Sequence, residues 1–130
     1  MSRDQNLQIM QKALDAFRAG DMTAMSQVFA QDVVWRVPGK SVLSKEYKGQ
    51  AEFFGLLGQL MELTGGTFKV DTVDMFANED GGIFVDRLTA ERGGRRLDIG
   101  LVLHAKIRNG QIVEGTDHFH QEHLWDAFWA

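Results

Sequence analysis

Leu7, Met10, Leu14 and Phe17 recur at helical spacing and predict an amphipathic first helix that stops at Gly20. Asp21 is placed to cap a short second helix over "MTAMSQVFA", and "DVVWRVP" reads as a strand that Pro38 terminates. Residues 39 to 50 show neither period and read as a loop. A broad apolar stripe through Phe53, Phe54, Leu57, Leu60 and Met61 then predicts a third helix over 50–63, closed by Gly65 and Gly66. After it the period changes to two. Four strand-like runs, at 67–77, 82–92, 95–108 and 111–119, are separated by "NEDGG", "GG" and "NG", residue types that suit hairpin turns. The tail "HQEHLWDAFWA" returns to helix. Helix, helix, strand, helix and then an antiparallel meander describe an α+β domain whose sheet buries one face against its helices.

Composition narrows the class. With 130 residues and 44% apolar content the chain reads as one domain spanning 1–130, large enough to bury a core without crosslinks. It has no cysteine, which removes disulfides, thiol nucleophiles and cysteine-based zinc sites. A net charge of -4 opposes a general grip on phosphates, so no nucleic-acid partner is expected. "RGGRR" at 92–96 reads instead as a charged hairpin tip. No apolar run reaches membrane-spanning length and the start lacks the pattern of a signal peptide, so the expected location is cytoplasmic, with no membrane partner.

The two-residue period also sorts side chains by face. Phe84, Asp86, Leu88 and Ala90 share one, as do Val113, Gly115, Asp117 and Phe119, and Val34 with Arg36. Two of these sets place a carboxylate among apolar residues. Such a carboxylate is either paired or has its pKa raised, and both conditions suit general acid/base chemistry. The plainer alternative is an Asp–Arg ion pair that merely satisfies itself inside the sheet. "DHFHQEH" also invites a metal reading. His118 and His120 nevertheless fall on the face opposite Asp117, His123 lies on the following helix, and His104 faces outward. A zinc or iron site needs three or four ligands converging at ~2.0–2.2 Å, so these histidines read as surface or interface residues and no metal is expected. Trp35, Tyr47, Met61, Trp125, Phe128 and Trp129 read as core and mouth. The expected lining of an apolar pocket is Phe17, Val34, Phe54, Phe84, Leu88, Leu103 and Phe119.

Three strings, "FRAGDMTAMSQVFAQDVVWRVPG" at 17–39, "YKGQAEFFGLL" at 47–57 and "AKIRNGQIVEGTDHFHQEHLWDAF" at 105–128, together resemble the nuclear-transport-factor-2-like superfamily. The likeness is to its SnoaL-like and ketosteroid-isomerase-related members and covers nearly the whole chain. It implies a cystatin-like cone of curved antiparallel sheet closed by N-terminal helices around an apolar pocket. It also implies a homodimer through the outer sheet face, where Val102 and Ile112 are expected, and no cofactor. The positions that carry catalysis in ketosteroid isomerases hold Ala13, Val37 and about Leu103 here. The limonene-epoxide-hydrolase branch places its two aspartates on Asp86 and Asp117, while its arginine, asparagine and tyrosine positions hold Phe84, Arg36 and Val34. Arg36, entering from the facing strand, is the expected partner of Asp117. The reading is therefore a pocket protein for a small hydrophobic ligand. Its expected chemistry is cofactor-independent acid/base work of an isomerase, cyclase or hydrolase, carried by Asp117, Asp86 and Arg36. The alternative is a non-catalytic ligand-binding or dimerisation module of the same fold.

Overall fold

The computed structural model describes residues 2–130. Helix α1 (Arg3–Ala19) starts at a capping box: the Ser2 hydroxyl accepts from the Gln5 amide at 3.1 Å, and the Ser2 amide donates back to Gln5 Oε1 at 2.9 Å. It stops at Gly20, whose φ of 63° is the left-handed conformation that glycine adopts without penalty. Ile9, Met10, Ala13 and Leu14 form its buried stripe, whereas Leu7, expected within it, is exposed. Asp21 caps α2 (Met22–Val28) by accepting from the Ala24 amide at 3.0 Å.

Strand β1 (Phe29–Arg36) leads into a loop that contains a strand the sequence did not signal, β2 (Glu46–Lys48). Three residues are too few to show a period. Helix α3 (Gly49–Leu63) precedes the meander β3 (Lys69–Asn78), β4 (Gly81–Arg92), β5 (Arg95–Arg108) and β6 (Gln111–Phe119), and α4 (Glu122–Trp129) closes the described chain. One six-stranded sheet runs in the order β2-β1-β6-β5-β4-β3. It is mixed rather than wholly antiparallel, because β1 and β6 run parallel. No hairpin joins those two strands, so none fixes their relative direction.

Two irregularities matter for the site. The register shifts between Thr72 and Asp74 on β3, and again where β5 meets β6, with Lys106 opposite Glu114 but Ile107 opposite Ile112. Bulges of this kind bend a sheet and reset its facing. The second leaves Val113 as the extra residue, so Ile112 points inward and is 1% exposed. This corrects the expected inward Val113 and removes Ile112 from the outer face.

The helices lie against the concave face. Phe53 of α3 stacks on Trp35 with ring centroids 4.5 Å apart, and Trp125 of α4 stacks on Phe119 at 4.2 Å. The β4–β5 hairpin arginines reach α4 as well. Arg92 Nη1 donates to the Phe128 carbonyl, and Arg95 Nη1 donates to the carbonyls of Ala127, Phe128 and Ala130. Cations there satisfy carbonyls that the end of a helix leaves without partners.

Candidate functional site

Between sheet and helices lies a cavity of about 110 Å³. That is room for several waters or roughly one small ring, at ~10–15 Å³ per water on the same measure. Its wall is almost wholly apolar. Phe17 from α1, Phe84 and Leu88 from β4, Leu103 from β5 and Phe119 from β6 line it. Ala13, Val37 and Leu103, the residues at the ketosteroid-isomerase positions, line it too and bring no polar group. Phe54 does not reach it. That ring packs on Phe29 and Phe53 and borders an outer groove instead.

Asp86 and Asp117 enter this apolar wall from strands flanking β5. Asp86 pairs in register with Leu101 and Asp117 with Leu103, two residues apart on the same face, so both carboxyls point into the cone. Asp86 is 5% exposed. Asp117 keeps more accessible surface, but that surface opens on the cavity and protein surrounds it on all sides. Burial raises the Asp86 pKa to about 6; Thr72 and the more distant Arg18 pull it down without cancelling the effect. Thr72 stands opposite Asp86 in the β3–β4 ladder. By geometry neither its hydroxyl nor Asp86 Oδ1 has a hydrogen-bond partner among the described residues. Asp117 is raised to about 7, first by burial and further by the charge of Asp86, against a hydrogen bond from Trp35.

Trp35, expected as apolar surface of the core and mouth, also makes a polar contact in the site. Its Nε1–H donates to Asp117 Oδ1 at 3.2 Å. The approach depends on Gly115, its register partner across β1 and β6: a Cβ there would fall 2.1 Å from the indole ring. A glycine inside a strand-like run was the available signal of that close approach. Thr72 was missed too, because a threonine on a strand has an ordinary reason to be there.

Arg36 is elsewhere. Val33, Trp35 and Val37 are the buried set of this stretch, so Val34 and Arg36 face outward, one residue out of step with expectation. The Arg36 guanidinium bridges Glu46 and Glu114, each at 3.0 Å. It therefore does not hold Asp117, and Val34 does not line the cavity. With Arg36 outside, no arginine or lysine lines the cavity among the described residues.

His104, His118, His120 and His123 are exposed. Among the described residues no three histidine, aspartate or glutamate side chains cluster as a metal site would require. No helix there is long and apolar enough to cross a membrane.

Relatives share this architecture. The chain is 30% identical to the uncharacterised protein Rv0034 of Mycobacterium tuberculosis over the full length of both. Among solved structures, Bal32a from a soil-derived mobile gene cassette is 35% identical with a TM-score of 0.94, covering 98% of each chain. A protein of unknown function with cystatin-like fold from Xanthomonas campestris is 27% identical with a TM-score of 0.89, covering 96% of this chain and 98% of its own. Residues 10–115 match the model of the SnoaL-like domain, and the chain belongs to that family.

Proposed function

We propose that the chain is a cofactor-independent acid/base catalyst acting on a small hydrophobic substrate, with Asp117 and Asp86 as the reacting pair. One observation carries this reading: two carboxyls share an apolar cavity with no cation, with pKa values raised to about 7 and about 6. Near neutral pH such a pair holds about one proton between them, and it titrates as a unit. Asp117 is the better acid, since Trp35 fixes one of its oxygens and leaves the other to carry the proton. Asp86, mostly ionised at neutral pH, is the base. An oxygen-bearing substrate with its carbonyl, hydroxyl or epoxide oxygen at Asp117 and a C–H bond or water at Asp86 would gain one proton and lose another in a single site. That is the chemistry of an isomerase, cyclase or hydrolase.

The test is a screen of small hydrophobic epoxides, enones and polyketide-like ketones for turnover, repeated with Asp117→Asn. The substitution keeps the shape and removes the transferable proton, so turnover should fall by about 10²-fold or more while affinity by calorimetry changes little. Full turnover by Asp117→Asn would remove Asp117 from the reaction, and compounds that bind the wild-type protein without any turnover would leave the non-catalytic pocket as the better reading.

We also propose a homodimer through the convex sheet face. Phe76, Ile83, Val85 and Val102 meet there across β3, β4 and β5, and Phe76 is 54% exposed. Sedimentation should show a dimer that Phe76→Glu dissociates; a monomeric wild-type protein at micromolar concentration would overturn it.

A further inference from the structure

Against the cavity lies a wider groove of about 650 Å³. Phe17, Met25, Leu57, Phe68 and Val70 border both spaces, so one layer of side chains separates them and the groove is where a ligand would enter. Its floor is apolar and its rim carries three charges: Arg18 at the end of α1, and Lys69 and Asp71 at the start of β3. Lys69 and Asp71 face each other at 3.8 Å. Arg18 differs: its exposed side chain makes no hydrogen bond or ion pair among the described residues, and its charge reaches Asp86. The groove therefore presents one uncompensated cation at the threshold of a cavity whose polar groups are acidic.

We propose that Arg18 is a specificity-determining residue and that the substrate is an amphipathic monoanion, a carboxylate or similarly acidic group on an apolar body, which enters apolar end first. The deduction rests on the acid/base reading of the same cavity and adds an orientation to it. An anionic group cannot sit beside Asp86 and Asp117 without strong repulsion in that apolar wall. At the rim it meets a guanidinium whose planar fork suits a carboxylate. The reacting atoms are then the ones distant from the charge. Arg18 also lies close enough to pull the Asp86 pKa down, which places its field across the entrance rather than in bulk solvent alone.

Calorimetry with 4-phenylbutanoate and 4-phenylbutanamide at neutral pH tests this, because the two probes have nearly the same shape and differ in charge. The wild-type protein should bind the acid about fivefold more tightly than the amide, the gain expected of a partly exposed ion pair. Arg18→Gln should bring the ratio to one or below, and Arg18→Lys should keep part of the preference. Lys12→Gln, which removes the same charge from another face of α1, should leave the ratio as it was. Equal binding of acid and amide by the wild type would overturn the role of Arg18 while leaving the cavity reading intact. So would a preference that survives in Arg18→Gln or falls equally in Lys12→Gln. Failure of both probes to bind would overturn both readings.

Discussion

The concave and convex faces of the same strands treat charge in opposite ways. On the convex face charges meet partners: Arg36 with Glu46 and Glu114, Lys106 with Glu114, and Arg87 with Asp98. These contacts hold the Glu114 and Asp98 carboxyls below their usual range. On the concave face Asp86 and Asp117 have no cationic partner in the cavity wall and are pushed up. One residue of offset along a strand separates the two regimes. The difference teaches what each set is for. Paired surface charges stabilise a fold slightly and are screened by salt, whereas an unpaired buried carboxylate costs stability and is retained where its proton is used.

The largest effect expected from this contrast is on pH dependence. Both inner carboxyls have folded pKa values above the ordinary 3.8, so the folded state binds more protons than the unfolded state between about pH 4 and pH 7. Their contribution to stability is therefore fully present below the unfolded pKa and is lost as pH rises through about 6 and about 7. For Asp117 alone, raised from 3.8 to about 7, this corresponds to ~4 kcal/mol. Denaturant titrations should show stability falling from mildly acid to mildly alkaline pH, and Asp117→Asn should flatten that fall. At about pH 8 the variant should be the more stable protein, by roughly 1–3 kcal/mol. A sequence reading in which Arg36 holds Asp117 gives the opposite sign, so this experiment separates the two arrangements.

A smaller effect is expected at Gly115. Gly115→Ala forces the Trp35 ring away and should cost roughly 1–3 kcal/mol, with a change in Trp35 fluorescence as its hydrogen bond to Asp117 is lost. An unchanged melt and spectrum would mean that the indole does not lie across Gly115. Smaller again is the convex face: Arg36→Met should cost under ~1 kcal/mol, and less in high salt. Smallest are His118→Ala, His120→Ala and His123→Ala, at on the order of 0.5 kcal/mol each. Elemental analysis of untagged protein should find no stoichiometric zinc, iron or manganese.

Much of the fold was legible because its signals are local. The hairpin glycines, the period change near Gly65 and the caps at Gly20 and Asp21 each act within a few residues, and β4, β5 and β6 fall almost where those signals put them. Asp86 and Asp117 were legible for the same reason, since alternation along one strand sufficed. Arg36 was not. Alternation on β1 sets Val33, Trp35 and Val37 against Asp32, Val34 and Arg36, but the resemblance to the epoxide-hydrolase branch drew Arg36 inward, where packing of Trp35 on Phe53 leaves it no place. Val113 and Ile112 failed differently: a single extra residue at a bulge reverses facing without any compositional mark. The parallel pairing of β1 with β6 depends on contacts across most of the chain, which no short window contains.

The most direct measurement is the titration of the aspartate carboxyl carbons by ¹³C NMR, assigned with Asp86→Asn and Asp117→Asn. Two resonances should titrate as a coupled pair with apparent values near 6 and 7, and removal of Asp86 should lower the Asp117 value, because its charge is one cause of the shift. Values for both residues near the ordinary 3.8, with no change in one when the other is replaced, would show two solvated or cation-paired carboxylates and contradict a shared proton in an apolar cavity.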